Sequence, residues 1–118
     1  MARCFVAVAL LAVSWLVSGA SNSYAAPCFI VTLTGTQGGP QSFNGLAGAG
    51  TLVRFGDDAD ECGAVKLQFD AGRGTTMRLS QLKVGPEQLD AVFFTHMHND
   101  HTEGFADLVQ LRGPLSRR

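Results

Sequence analysis

The feature that most constrains this chain is the run "THMHNDHTEG", Thr95 to Gly104. It holds all 3 histidines of the chain. His96, His98, Asp100 and His101 alternate in it with residues that bind nothing strongly. No single regular backbone brings those four side chains to one point. In a strand, 96, 98 and 100 share a face while 101 points away. In a helix, 98 pairs with 101 and 96 with 100, but 96 and 98 diverge. A strand end that turns into a helix resolves the conflict. His96 and His98 then converge on one centre, and Asp100 and His101 serve a neighbouring one.

The flanking sequence supplies that junction. "LDAVFF" (Leu89–Phe94) reads as a strand buried on both faces, as in a sheet covered by helices. "EGFADLVQLRG" (Glu103–Gly113) reads as a helix with Phe105, Leu108 and Val109 inward and Leu111 as a further candidate. Upstream, "CFIVTLTG" (Cys28–Gly35), "TLVRF" (Thr51–Phe55) and "AVKLQFD" (Ala64–Asp70) read as strands. The last places Val65, Leu67 and Phe69 on one face, which suggests a meander with one buried side. "TQGGPQSFNGLAGAG" (Thr36–Gly50) is a long loop of turn residues, and "GDDADECG" (Gly56–Gly63) is an acidic turn. Thr75 or Thr76 is placed to cap a helix through about Lys83 that buries Met77, Leu79 and Leu82, with Gly85 and Pro86 stopping it. Strands followed by helix, strand and helix predict a layered α/β domain.

A length of 118 residues allows one domain at most. A formal net charge of −1 gives no electrostatic case for nucleic acid or an anionic membrane, so neither is expected as a partner. Arg3, the apolar run Phe5–Val17 and "SNSYAAP" have the three parts of a secretory signal peptide. Cleavage is expected after Ala25, with Ser23 and Ala25 as the two small residues; Ala20 is an alternative site. The apolar run is shorter than the roughly 20 residues a membrane span needs. The expected organisation is a signal peptide over 1–25 and one domain over 26–118, secreted or periplasmic, with no stable span after cleavage. Export permits a disulfide. Cys28 opens the first strand and Cys62 lies in the turn between the second and third, places that can fall at one end of a meander. A bridge there would contribute about 3–4 kcal/mol in the chain-entropy model. Two unpaired small hydrophobes are the alternative.

Imidazole and carboxylate suit Zn²⁺, at about 2.0–2.2 Å. They also suit Fe or Mn. Two metals about 3.5–4 Å apart can hold a bridging water, lower its pKa and stabilise a leaving oxygen. That is hydrolytic chemistry without a protein nucleophile. Asp100 is the candidate catalytic residue as well as a candidate ligand. A polar surface loop with idle histidines is the bland alternative, and the density of the motif after a buried strand disfavours it.

His96, His98, Asp100 and His101 resemble the signature of the metallo-β-lactamase superfamily. "LTGTQGGP" (Leu33–Pro40) resembles the glycine-rich loop after the first strand of that family, and "FDAG" (Phe69–Gly72) its strand end. "DAVFFTHMHNDHTEGFADL" resembles its strand, metal loop and helix. Within the superfamily the chain is most similar to the ribonuclease Z and arylsulfatase-type branch. The resemblance spans roughly residues 29–111. It implies that His96 and His98 bind a first metal, that Asp100 and His101 bind a second, and that both are zinc. It implies that Asp70 accepts hydrogen bonds from the metal loop and holds its turn. Gly35, Gly38 and Gly39 would shape a loop near the site; a plain hairpin turn is the alternative. Glu103 and Asp107 are read as helix N-terminal charges rather than ligands.

Each proposed metal receives two protein ligands, whereas a catalytic zinc site usually has three and a water. The family fold is a four-layer αββα sandwich of two similar halves, and this chain supplies one α/β half. The expectation is therefore the N-terminal part of a longer exported hydrolase with one sheet face uncovered. An ester-type bond in a small molecule is the expected target, as for an arylsulfatase-like hydrolase. The competing expectation is a non-catalytic metal-binding module, or one that binds only on self-association.

Overall fold

The structure is a computed structural model that describes residues 25–39 and 45–115. Four strands form one mixed sheet in chain order. Strands β1 (Pro27–Gly35), β2 (Gly50–Asp57) and β3 (Val65–Phe69) make an antiparallel meander. β4 (Ala91–Phe93) joins β3 in parallel, with Phe69 opposite Phe93 and Gln68 opposite Val92. The crossover between them contains helix α1 (Thr75–Gln81) and a 3-10 turn, Pro86–Gln88. After β4 come a single helical turn, α2 (Asn99–Thr102), and helix α3 (Phe105–Leu115).

The register divides the strands into two faces. Thr32 pairs with Leu52, Leu52 with Gln68 and Gln68 with Val92, so these side chains share one side. The helices cover that side. Leu52, Ala71, Leu79, Val84, Leu89 and Leu108 form its buried cluster, with Val92 and Phe94 packed against it. Gln68 is also fully buried there. Its amide nitrogen donates to Thr34 Oγ1 at 3.1 Å and to the Asp70 carbonyl at 2.8 Å. Those bonds satisfy the amide nitrogen, while Oε1 is buried without a partner, and they tie β1 to the turn after β3.

The opposite side carries Phe29, Val31, Leu33, Phe55 and Phe93, all exposed, with Phe29 and Leu33 at 64% and 67%. Val65, Leu67 and Phe69 share this side and are only half-buried. They were expected on the buried face. Alternation tells which residues share a face, not which face is covered, and in β3 the helices chose the Gln68 side. For the same reason β4 is not buried on both faces: Phe93 lies on the open side, stacked on Phe69 with ring centroids 5.2 Å apart. The expected uncovered apolar sheet face is present.

The helices also depart from the sequence reading. Thr75 is the first helical residue, not a cap; Gly74 holds the cap position at φ 78. The Thr75 hydroxyl donates back to the Gly72 carbonyl at 2.8 Å. Thr75 and Leu79 then set the buried stripe at i and i+4, which sends Met77 outward to 69% exposure. Leu82 lies past the last turn and is half-exposed. Among the described side chains of α3 only Leu108 is deeply buried; Val109 and Leu111 are exposed, and Phe105 meets Phe94 edge-on at 5.1 Å.

Cys28 and Cys62 are joined by a disulfide, with Cα atoms 5.6 Å apart. It links the start of β1 to the β2–β3 turn. That turn is organised by Asp60, whose Oδ1 accepts from the Asp57 and Gly63 amides at 3.0 and 2.9 Å. The expected signal peptide over 1–25 lies, but for Ala25, outside the described residues. Among the described residues no helix is long and apolar enough to cross a membrane.

The two faces predict different responses to truncation. Leu52→Ala should destabilise the chain by about 2–5 kcal/mol in urea unfolding. Val31→Ala, on the open face, should cost no more than about 0.5 kcal/mol. Equal losses would show that the open face is covered in solution.

Candidate metal centre

The junction demanded by the histidine run is built by backbone hydrogen bonds. After β4 the chain bends at Thr95 and continues without regular structure to His98, which at φ −66 and ψ 152 is the residue from which α2 starts. The turn then rests on the loop that follows β3. The Ala71 amide donates to the His101 carbonyl at 2.7 Å, and the Gly104 amide donates to the Ala71 carbonyl at 2.8 Å. The Gly72 amide donates to Ala49 and the Gly48 amide to Arg73, both at 2.9 Å. Three backbones thus cross at Gly48, Gly72 and Gly104. A Cβ on Gly72 would overlap the Asp100 carbonyl, and one on Gly104 would overlap the Gly72 carbonyl. Glycine at these places is a packing requirement of the histidine loop.

Asp70 is the pivot. It sits at φ 58, the left-handed region that Asp tolerates better than most residues. Its Oδ1 accepts from the Thr95 amide at 2.8 Å, and its Oδ2 accepts from the Thr95 hydroxyl at 2.8 Å. Oδ2 also meets His101 Nδ1 at 2.8 Å. Burial pushes the Asp70 carboxyl upward, but the Thr95 amide, His101 and the Thr95 hydroxyl outweigh it and leave the group below its ordinary value. With Nδ1 turned to Asp70, the other ring nitrogen of His101 faces outward. It stands 3.5 Å from Asp100 Oδ2.

Asp100 is buried, unlike its neighbours. Its Oδ2 accepts from the Gly39 amide at 2.7 Å. That bond holds the carboxyl below its ordinary value against desolvation, with His101 and His96 pulling the same way. The glycine-rich loop therefore reaches the site through Gly39, at φ 80. Gly35 is needed for close approach to the Gly48 carbonyl, whereas a Cβ on Gly38 would meet nothing. His96 and His98 are exposed. Their rings pack edge-on with centroids 4.5 Å apart, and those of His96 and His101 are 4.0 Å apart.

The four sequence-predicted residues are thus brought together. Among the described residues, however, no group of three or more His, Cys, Asp and Glu side chains converges on one point. Asp107 is exposed in the first turn of α3, as the helix N-terminal charge expected of it. Glu103 is not the helix N-terminal charge expected of it. It ends α2 and pairs with Arg73 at 2.8 Å. That pair, Asn99 and the three crossing glycines were missed in the sequence; the glycines of "DAG" and "HTEG" were its visible trace.

Because the Asp70 carboxyl is depressed in the folded state, its stabilisation is present above the unfolded value of about 3.9 and is lost as pH falls through the folded value. Asp70→Asn should therefore lose less stability than the parent between pH 6 and pH 3 in urea unfolding; equal losses would contradict the bonding described. Gly72→Ala should cost about 1–3 kcal/mol and displace the amide resonances of Asp100 and His101. Unmoved resonances would show that the backbone crossing is loose.

Comparison with known proteins agrees with this geometry. Residues 63–117 match the sequence profile of the metallo-beta-lactamase superfamily. The chain is 37% identical over 82 residues to ribonuclease Z of Mycolicibacterium gilvum, an alignment covering 70% of this chain and 26% of that protein. Ribonuclease Z of Thermococcus kodakarensis is 43% identical over 44 residues, covering 37% of this chain and 14% of the relative. Among solved structures, the metallo-beta-lactamase fold protein YhfI from Bacillus subtilis is 32% identical with a TM-score of 0.56, covering 68% of this chain and 29% of that one. Human tRNase Z, short form, is 25% identical with a TM-score of 0.60, covering 74% and 30%. The chain spans about a quarter of the length of the curated relatives it matches. Relatives named as ribonucleases and a tRNase overturn the expectation that nucleic acid is excluded as a partner class. Net charge is an average over the chain and says little about what a local site engages. On the histidine run, its strand-to-helix setting and these likenesses together, residues 63–117 are a metallo-beta-lactamase superfamily segment.

Proposed function

We propose that this chain carries the metal-loop portion of a metal-dependent hydrolase that cleaves an ester-type bond. The observation that carries the reading is the orientation of His101. Its Nδ1 is committed to Asp70 and its Nε2 is turned toward Asp100 Oδ2. A histidine whose second nitrogen is fixed by a carboxylate is the usual arrangement of a metal ligand. Three imidazoles and a carboxylate also form a donor set that suits zinc. Asp100 and His101 would hold one ion, and His96 and His98 the other. Bound zinc supplies a water acidic enough to attack at neutral pH. The chain's own residues orient that chemistry: Asp70 fixes the ring of His101, Gly39 fixes the carboxylate of Asp100, and Thr95 anchors the strand end.

The relatives named as ribonuclease Z support a phosphodiester in RNA as the bond acted on. A second reading, an exported arylsulfatase-like hydrolase of small esters, is favoured by the Cys28–Cys62 disulfide, which persists in oxidising compartments. The signal-like N-terminus of the sequence supports the same reading.

Zinc titration of the chelator-treated chain, followed by assays on a precursor tRNA, a phosphodiester dye and an aryl sulfate, tests both. Zinc should bind. His98→Ala should bind less of it, and Asp70→Ala should weaken affinity by about 10–100-fold. A His98→Ala chain that binds zinc as the parent does would sink the ligand assignment. Zinc bound without any turnover would support a metal-binding module instead.

A further inference from the structure

We propose that Glu103 is a positioning residue for the metal loop, acting with Arg73 and Asn99 as a second brace opposite Asp70. The reading rests on the metal-binding role of Asp100 and His101 proposed above, but the brace itself is visible without metal.

Arg73 follows the loop on which the metal turn sits. Its Nη2 lies 2.8 Å from Glu103 Oε1 and donates to Oε2 at 3.0 Å. Oε2 also accepts from Asn99 Nδ2 at 3.2 Å. Asn99 is the residue between His98 and Asp100, and the Glu103 amide donates to its carbonyl at 2.9 Å. One carboxylate therefore ties the first residue of α2 to the β3–α1 loop, across a turn too short to hold itself. An isolated helical turn is unstable because nucleation fixes several residues for one hydrogen bond. The contacts at the two ends of the loop divide the work. Asp70 holds Thr95 and His101, Gly39 holds Asp100, and Glu103 holds Asn99. Without Glu103, Asn99 loses its tie to the β3–α1 loop, and the turn that carries Asp100 is anchored by fewer contacts. The Arg73–Glu103 pair is only partly exposed, at 38% and 20%, so its charges are less screened than a surface pair.

The test uses the full chain and two readouts. The first is hydrogen exchange of the 99–103 amides in metal-free protein. The second is Co²⁺ affinity with its visible absorption spectrum, which reports coordination geometry and which a merely structural role would leave unmoved. Glu103→Ala should speed exchange at 99–103 at least about tenfold relative to the rest of the chain and weaken Co²⁺ by about 10–100-fold with an altered spectrum. Arg73→Ala should do the same, and the double variant should be no worse than either single one. Should Glu103→Ala fail to fold, Glu103→Gln keeps the volume, loses the charge and carries both readouts. Unchanged exchange in the variants would overturn the brace. If the parent binds no Co²⁺, the metal reading fails and the exchange data still decide the brace. Parent-like Co²⁺ affinity and spectrum in a variant with faster exchange would also overturn the positioning role.

Discussion

The carboxylate of Asp70 is the contact on which the site depends. It joins three pieces of chain: the end of β3, the exit of β4 at Thr95 and α2 at His101. The residue is held in the left-handed region, a conformation that costs roughly a kcal/mol or more and persists only where the surroundings impose it. The turn it makes brings Ala71 and Gly72 against the histidine loop, where the Ala71 amide meets the His101 carbonyl. Backbone then meets backbone closely enough that only glycine fits at Gly72 and Gly104. Charge, conformation and close packing are therefore one device, not three.

Much of the site was legible in the sequence because chemistry-bearing residue types are scarce. Histidines 96, 98 and 101 and Asp100 announce themselves, and the need for a strand-to-helix junction follows from their spacing alone. The connections between elements were less visible. Nothing local in "DAGRG" says that Arg73 meets Glu103, because that pairing is created by the crossover returning to its own starting strand. Nor could Gly39 be distinguished from Gly38 before the loop was seen against Asp100. The charge average misled about partners, since a single total hides where charges sit.

The fold shows the same division. Strand positions and the order of elements followed from β-branched alternation and turn residues. Which face of the sheet is covered did not, since β3 offers Val65, Leu67 and Phe69 on one side and a glutamine on the other. Burying Gln68 looks unfavourable by residue type. It becomes acceptable because Thr34 and the Asp70 carbonyl receive its amide hydrogens. Met77 failed for a related reason: helix phase was set by Thr75 bonding to Gly72, a side chain the hydrophobic pattern does not count.

The shortness of β4 has a consequence for motion. This strand has three residues and, among the described residues, lies at the sheet edge and pairs in parallel with β3 alone. It is the weakest part of the ladder, while the meander before it is longer and is pinned by the disulfide. Local opening favours such elements. A fluctuation that detaches β4 would carry His96 to His101 away from Asp70 while β1–β3 stay intact. A bound ion would oppose that opening by tying the loop to itself. The loop that presents the donors is thus also the part of the domain whose order a ligand can most readily change.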